Sequence, residues 1–188
     1  MPSYVALLRA VNITGHNGLA MRDLRQLLEA LPAQDVRTYL QSGNAVFRSG
    51  SEDLPAVGSA LHDAIASKLG LAVDVLVRTG EDLQRVVNDL PFRSDSMVYV
   101  TFLASAPGRA KVAALAAHDA AIAPPARRIV APDDRDAFCL AGREIYLSCP
   151  NGYGRTKLNN AMFERQLGVV ATTRNWRTVT TLAQMASG

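Results

Sequence analysis

Arg155 and Lys157 stand in a turn, CPNGYGRTKL (149–158), whose Gly152 and Gly154 can take backbone conformations closed to other residues. If that turn feeds straight into a helix, successive backbone amides and the positive end of the helix dipole would face an anion beside two cations. That is the chemistry of a cradle for phosphate, sulfate or carboxylate. It differs from a P-loop, which sets its lysine after a longer glycine loop and needs an acidic metal partner. A tight strand-to-helix connection with solvated cations would use the same residues.

A second group lies in ATTRNWRTVTTL (171–182), where Arg174, Asn175 and Arg177 gather hydrogen-bond donors around Trp176, the single tryptophan. Thr173 or Asn175 can cap a helix there. Trp176 shares a helical stripe with Val179, Leu182 and Ala183, a pattern that favours core packing over a stacking platform. A third group is the turn-rich loop AVNITGHNG (10–18), which carries Asn12, Gly15, His16, Asn17 and Gly18. His16 has no carboxylate within sequence reach, so nothing supports a general base.

No G-x-S-x-G elbow occurs, and the serines have no evident His and Asp partners. Paired acids at 52–53, 81–82 and 133–134 fall at turns and helix starts, where carboxylates serve as caps. The three histidines, His16, His62 and His118, are scattered, and Cys139 and Cys149 have no ligand neighbours at close spacing. Neither metal nor cofactor is expected. Whether a reaction follows binding is open at this stage.

The elements that would position these residues come from periodicity. YVALLRAV (4–11) is an apolar run of strand length, and Met21, Leu24, Leu27, Leu28 and Leu31 recur at helical spacing before Pro32. VRTYLQSGNAVFRS (36–49) alternates around Ser42 and Gly43, as a two-residue hairpin would. Leu54, Val57, Leu61, Ile65 and Leu69 mark a second helix, and VDVLVR follows as a strand. The order βαββαβ is that of a ferredoxin-like sandwich.

Thr79 and Asp82 form a capping box for a connecting helix, and PFRSDS (91–96) reads as a linker. Beyond it the plan nearly repeats: a strand at 97–103, a helix at about 108–119, a strand at RRIVA (127–131), and a hairpin at AFCLAGREIYL (137–147). A helix from about Thr156 to Leu167 and another from about Asn175 to Ala186 close the chain. The expected fold is therefore α+β, with two ferredoxin-like halves over 1–90 and 97–188 and a terminal helix.

Two register statements follow. A hairpin turn at Ala141 and Gly142 sets Cys139 opposite Glu144 and carries Cys149 past the pairing, so no disulfide is expected. If Gln41 pairs with Asn44, Arg37 faces Arg48 and Tyr39 faces Val46 on the sheet side away from the helices. With Arg9 nearby, that open face is the one RNA-binding modules of this plan use, although burial against the other half explains it as well.

The 188 residues are 48% apolar, enough for a real core, and a net charge of +3 lies well below the basic density of a dedicated nucleic-acid protein. No apolar run approaches a membrane span, and the N-terminal residues enter a strand pattern at once, so a cytosolic protein is expected.

YVALLRAVNITGHNGLAMRDLRQLLEAL, DVRTYLQSGNAVF, GREIYLSCPNGYGRTKLNNAMFERQLG and ATTRNWRTVTTL resemble, in order and over nearly the whole chain, the landmarks of the bacterial domain-of-unknown-function family 1697. In that family the first landmark often reads Leu-Arg-Gly-Ile-Asn-Val-Gly-Gly, where this sequence has Ala10, Val11, Ile13 and Thr14. The resemblance implies two ferredoxin-like halves and no established activity. Its polar landmarks map to Arg9, Asn12, Ser42, Gly43, Asn44, Gly152, Gly154, Arg155, Lys157, Arg174, Asn175 and Trp176.

Three readings follow. In the leading one, a cleft between the halves binds a small anionic ligand held by the turn at 152–157, clamped by Arg174 and oriented by Asn12 and Asn44. The alternatives are nucleic-acid binding on the open sheet face, tested through Arg37 and Arg48, and an interaction or scaffold role without a ligand.

Overall fold

The computed structural model describes residues 1–13, 18–93, 97–124 and 128–188. Thr14, Gly15, His16, Asn17, the linker residues 94–96 and Arg127 of RRIVA lie outside them. The chain falls into two compact units, Met1–Arg85 with Thr181–Gly188, and Val86–Thr180.

In the first unit β1 (Ser3–Leu8), α1 (Met21–Glu29), β2 (Ala33–Thr38), β3 (Asn44–Ser49), α2 (Leu54–Leu69) and β4 (Val75–Thr79) follow in the expected order. They form an antiparallel sheet ordered β2-β3-β1-β4, the ferredoxin-like arrangement. Leu24 and Leu28 of α1 and Leu61 and Ile65 of α2 meet Tyr4, Ala6, Leu8, Ala45 and Phe47 on one sheet face. The punctuation of α2 is local: Asp53 accepts from the Ala56 amide at 3.0 Å, and Gly70 ends the helix in the left-handed conformation. A capping box then opens α3 (Gly80–Asn88), with Thr79 Oγ1 accepting from the Asp82 amide and the Asp82 carboxylate accepting from the Thr79 amide.

The second unit repeats the plan with β5 (Val98–Leu103), α4 (Arg109–Ala116), β6 (Ala137–Ala141), β7 (Glu144–Ser148), α5 (Asn160–Leu167) and β8 (Ala171–Asn175), ordered β6-β7-β5-β8. Its core gathers Leu103, Phe138, Ile145, Leu147, Phe163 and Leu167, with Phe138 edge-on to Phe163 at 5.4 Å. The last helix, α6 (Trp176–Ser187), follows β8 without a loop.

Four local expectations are corrected and a fifth is narrowed. First, Arg37 pairs with Val46, two residues out of the expected register, and Gln34 pairs with Arg48, three residues out, so the two arginines do not face each other. The loop holds four residues rather than two, closed by the Tyr39 amide on the Asn44 carbonyl, and a bulge between Gln34 and Arg37 adds the third residue of shift. Second, Cys139 pairs with Tyr146 rather than Glu144, because left-handed Gly142 turns the hairpin with Arg143. Both cysteines are free and buried.

Third, RRIVA is not a strand of the sheet. Ile129 makes an isolated parallel bridge to Phe92, and the fourth strand is β8, where only a helix cap at Thr173 or Asn175 is expected from the sequence. Fourth, α5 begins at Asn160, because the Thr156 hydroxyl accepts from the Leu158 amide and Asn159 supplies the helix cap. Fifth, of the two readings of the sheet face away from the helices, the residues there fit burial: Val5, Leu7, Val46, Leu76 and Arg78 are all at most 3% exposed. Arg37 and Arg48 instead donate to the carbonyls of Met185 and Gly188, where cations suit a helix C-terminus.

Candidate functional site

In the first unit the structure joins the β1 exit (residues 9–13) to the β2–β3 loop (39–44). Asn12 makes the joint: its amide donates to the carbonyls of Leu19 at 2.8 Å and Gln41 at 2.7 Å, and its oxygen accepts from the Leu19 amide. Asn44 is fully buried and donates to the Tyr39 carbonyl and to Ser42 Oγ. The amide hydrogens of both side chains are thus committed inside the protein, and these residues hold the loops in place. The Leu8 amide donates to the Gly43 carbonyl at 2.8 Å. A Cβ on Gly43 would come within 2.5 Å of Val11 Cγ2, so glycine is required by contact as well as by its φ of +74°.

Backbone strain concentrates here. Ala10, Asn12 and Leu40 are left-handed without being glycine, at φ of 54°, 56° and 57°. Each costs about 1–2 kcal/mol, and such residues gather where surrounding structure over-determines a site. Arg9 is half-buried beside them, while Ile13 and Leu40 expose more than half of their surface.

The other predicted residues belong to the second unit. The amides of Gly152, Arg155 and Thr156 donate to the carbonyls of Cys149, Gly152 and Tyr153, so the expected ring of free amides is not formed. The turn continues as a short 3-10 segment, Tyr153–Arg155, and stops five residues before α5 begins, which removes the helix dipole from the cradle. Arg155 and Lys157 are exposed, and an anion there would meet their side chains.

Alternation along β8 sends Thr173 to the helix-covered face and Arg174, with Thr172, to the other. Thr173 Oγ1 donates to Asn160 Oδ1 at 2.6 Å and accepts from the Tyr153 hydroxyl at 3.1 Å. Its one hydrogen being used, Thr101 donates to it at 2.7 Å. Arg174 donates to Thr172 Oγ1 and the Thr173 carbonyl, and burial lowers its pKa to about 10. Asn175 caps α6 through the Thr178 amide at 2.8 Å, and Trp176 is buried.

Sequence reasoning missed Arg78, which is 1% exposed and stands opposite Val5 as Arg174 stands opposite Val100. Each arginine is the penultimate residue of its unit's fourth strand, donates to the carbonyl just before it, and precedes the cap of the next helix. The shared signal, an arginine followed by a capping Thr or Asn at a strand end, was legible. The Thr101–Thr173–Asn160–Tyr153 network was not, since it joins four separate segments.

Burial pushes the Cys149 thiol up to about 11, aided by Asp136 and opposed by a bond to Thr156, so the thiol is no nucleophile at neutral pH. Burial also raises Tyr153, against its bonds to Thr173 and Asn160. Among the described residues no cluster of His, Cys, Asp or Glu could hold a metal, and no helix is long and apolar enough to cross a membrane.

A family profile described as "Protein of unknown function (DUF1697)" matches residues 1–138, nearly three quarters of the chain. The chain belongs to the DUF1697 family. This DUF1697 chain is similar in fold to a conserved bacterial protein, SP0830 from Streptococcus pneumoniae, with a TM-score of 0.73 and 21% identity over 98% of each chain. Likeness at that identity concerns the fold. No curated protein matches this DUF1697 chain.

Proposed function

We propose that the protein binds a small ligand carrying a phosphate or carboxylate group, and that the loop pair of the first unit, with Arg9 as its cation, forms the contact. The observation that carries this reading is the strain at Ala10, Asn12 and Leu40, held by the Asn12 bond to Gln41 and the close seat of Gly43. Left-handed alanine and leucine are poor choices for a connector, and a preorganised site is a reason to keep them. The half-exposed Arg9 supplies charge-assisted bonds, and the apolar flanks of Ile13 and Leu40 suit an uncharged part of the same ligand.

The test is amide chemical-shift titration of the whole chain with inorganic phosphate, acetate and a nucleoside monophosphate, at low and high salt. Saturable shifts confined to residues 8–13 and 39–44 are expected with at least one probe, and Arg9→Ala should weaken binding about 10- to 100-fold, the loss of a charge-assisted bond. Shifts at Arg155 and Lys157 alone, or binding indifferent to Arg9→Ala, would overturn the assignment.

A further inference from the structure

On the helix side of the first unit, α1, the start of β2, the end of β3 and the first turns of α2 line a half-open apolar cleft of about 120 Å³. Leu28, Leu31, Phe47 and Val57 supply an apolar wall, and Ala56 and Ala60, one helical turn apart, line the mouth with the least possible side chain. An apolar cavity near this size holds a six-membered ring, whereas water finds too few partners in it.

Two serines, Ser49 and Ser51, interrupt the apolar lining, and Ser49 is the buried one. Ser49 is 3% exposed and lines the cavity. Its Oγ accepts from the Ser51 amide at 3.2 Å, and its hydroxyl hydrogen has no acceptor among the described residues. The neighbouring Ser51 carbonyl is already taken by the Tyr4 hydroxyl at 2.6 Å. The cleft therefore offers one buried donor at Ser49, with the half-buried Ser51 at its edge, which suits an apolar body carrying an acceptor.

We propose that this cavity is a binding site for a small apolar group of about six heavy atoms, a phenyl ring or a short branched chain, bearing one carbonyl or ether oxygen toward Ser49. The occupant is a small molecule or the apolar end of one, since a space of about 120 Å³ takes a single ring.

The experiment titrates the full chain with toluene and with acetophenone, reading methyl and amide shifts in heteronuclear NMR spectra. Both should shift Leu28, Leu31, Val57 and Ala60 saturably, with dissociation constants of about 1 mM for fragments of this size. Ser49→Ala should weaken acetophenone about 3- to 10-fold, the worth of one neutral hydrogen bond, and leave toluene unchanged. Ala60→Phe should abolish both while keeping the remaining spectrum native. Its more exposed site protects the fold, and Ala56→Leu is the second, milder blocking variant. Absence of saturable shifts with either probe, or binding that survives both blocking substitutions, would overturn the proposal. An equal loss of both probes in Ser49→Ala would overturn the part assigned to its hydroxyl.

Discussion

Replacing Gly43 by alanine tests the joint between the two loops directly. The residue sits at φ +74°, which costs a residue with a Cβ about 1–2 kcal/mol. The added carbon would also lie 2.5 Å from Val11 Cγ2 and 2.7 Å from Leu8 Cβ, and Leu8 belongs to a strand that cannot give way. Overpacking of that kind costs a further ~1–3 kcal/mol, for a total of about 2–5 kcal/mol. In a chain of this length each kcal/mol moves the melting temperature by about 2–4 °C. Gly70→Ala is the control: it has a similar φ of +66° with nothing within 4 Å, so it reports the conformational cost alone. Urea unfolding of both variants by circular dichroism separates the two contributions. A loss at Gly43 no larger than that at Gly70 would refute the claim that the loops are seated on each other.

Asn12→Ala removes three hydrogen bonds and is expected to destabilise by about 2–3 kcal/mol in the same assay, with amide shifts spreading to Gln41 across the joint. Cys149 should resist a thiol reagent at pH 8 until urea unfolds the chain. Its folded pKa is raised, so its contribution to stability is complete below the unfolded value near 9 and disappears as pH climbs through about 11; Cys149→Ala should flatten that alkaline decline in the urea midpoint. Asp82 behaves oppositely. Burial works to raise its pKa, but bonds from Thr79 and the Arg85 guanidinium override this and lower it, so its stabilisation is present at neutral pH and lost on acidification below the usual carboxylate range. Asp82→Asn should therefore reduce the acid sensitivity of the melting temperature while costing about 1 kcal/mol at pH 7.

Spacing made the helices and the doubled βαββαβ plan legible, because Leu24 and Leu28, or Leu61 and Ile65, can share a buried face only on a helix. The hairpin register was misread because Leu40 is left-handed, a conformation that leucine does not advertise. β8 escaped notice because Thr172, Thr173, Arg174 and Asn175 are all polar and give no apolar alternation, so its cross-strand partners on β5 reveal the strand. Polar landmarks such as Asn12 and Asn44 could be located in the sequence. That their amides face inward depends on carbonyls up to 29 residues away, which no local pattern contains.

The first unit is not contiguous in the chain, and this sets an order on its assembly. Gln84 donates to Ala183 and Ser187, while Arg37 and Arg48 reach Met185 and Gly188, contacts that span 99 to 148 residues. A ribosome adding 5–20 residues per second needs roughly 5–20 s to travel from the end of β4 to the segment beginning at Thr181. Through that interval the first sheet exists without its final segment, and Arg37 and Arg48 lack the carbonyls that later hold them. The first unit to be synthesised is thus among the last to be finished, and its nascent form is the stage at which a chaperone or a misplaced partner has time to intervene.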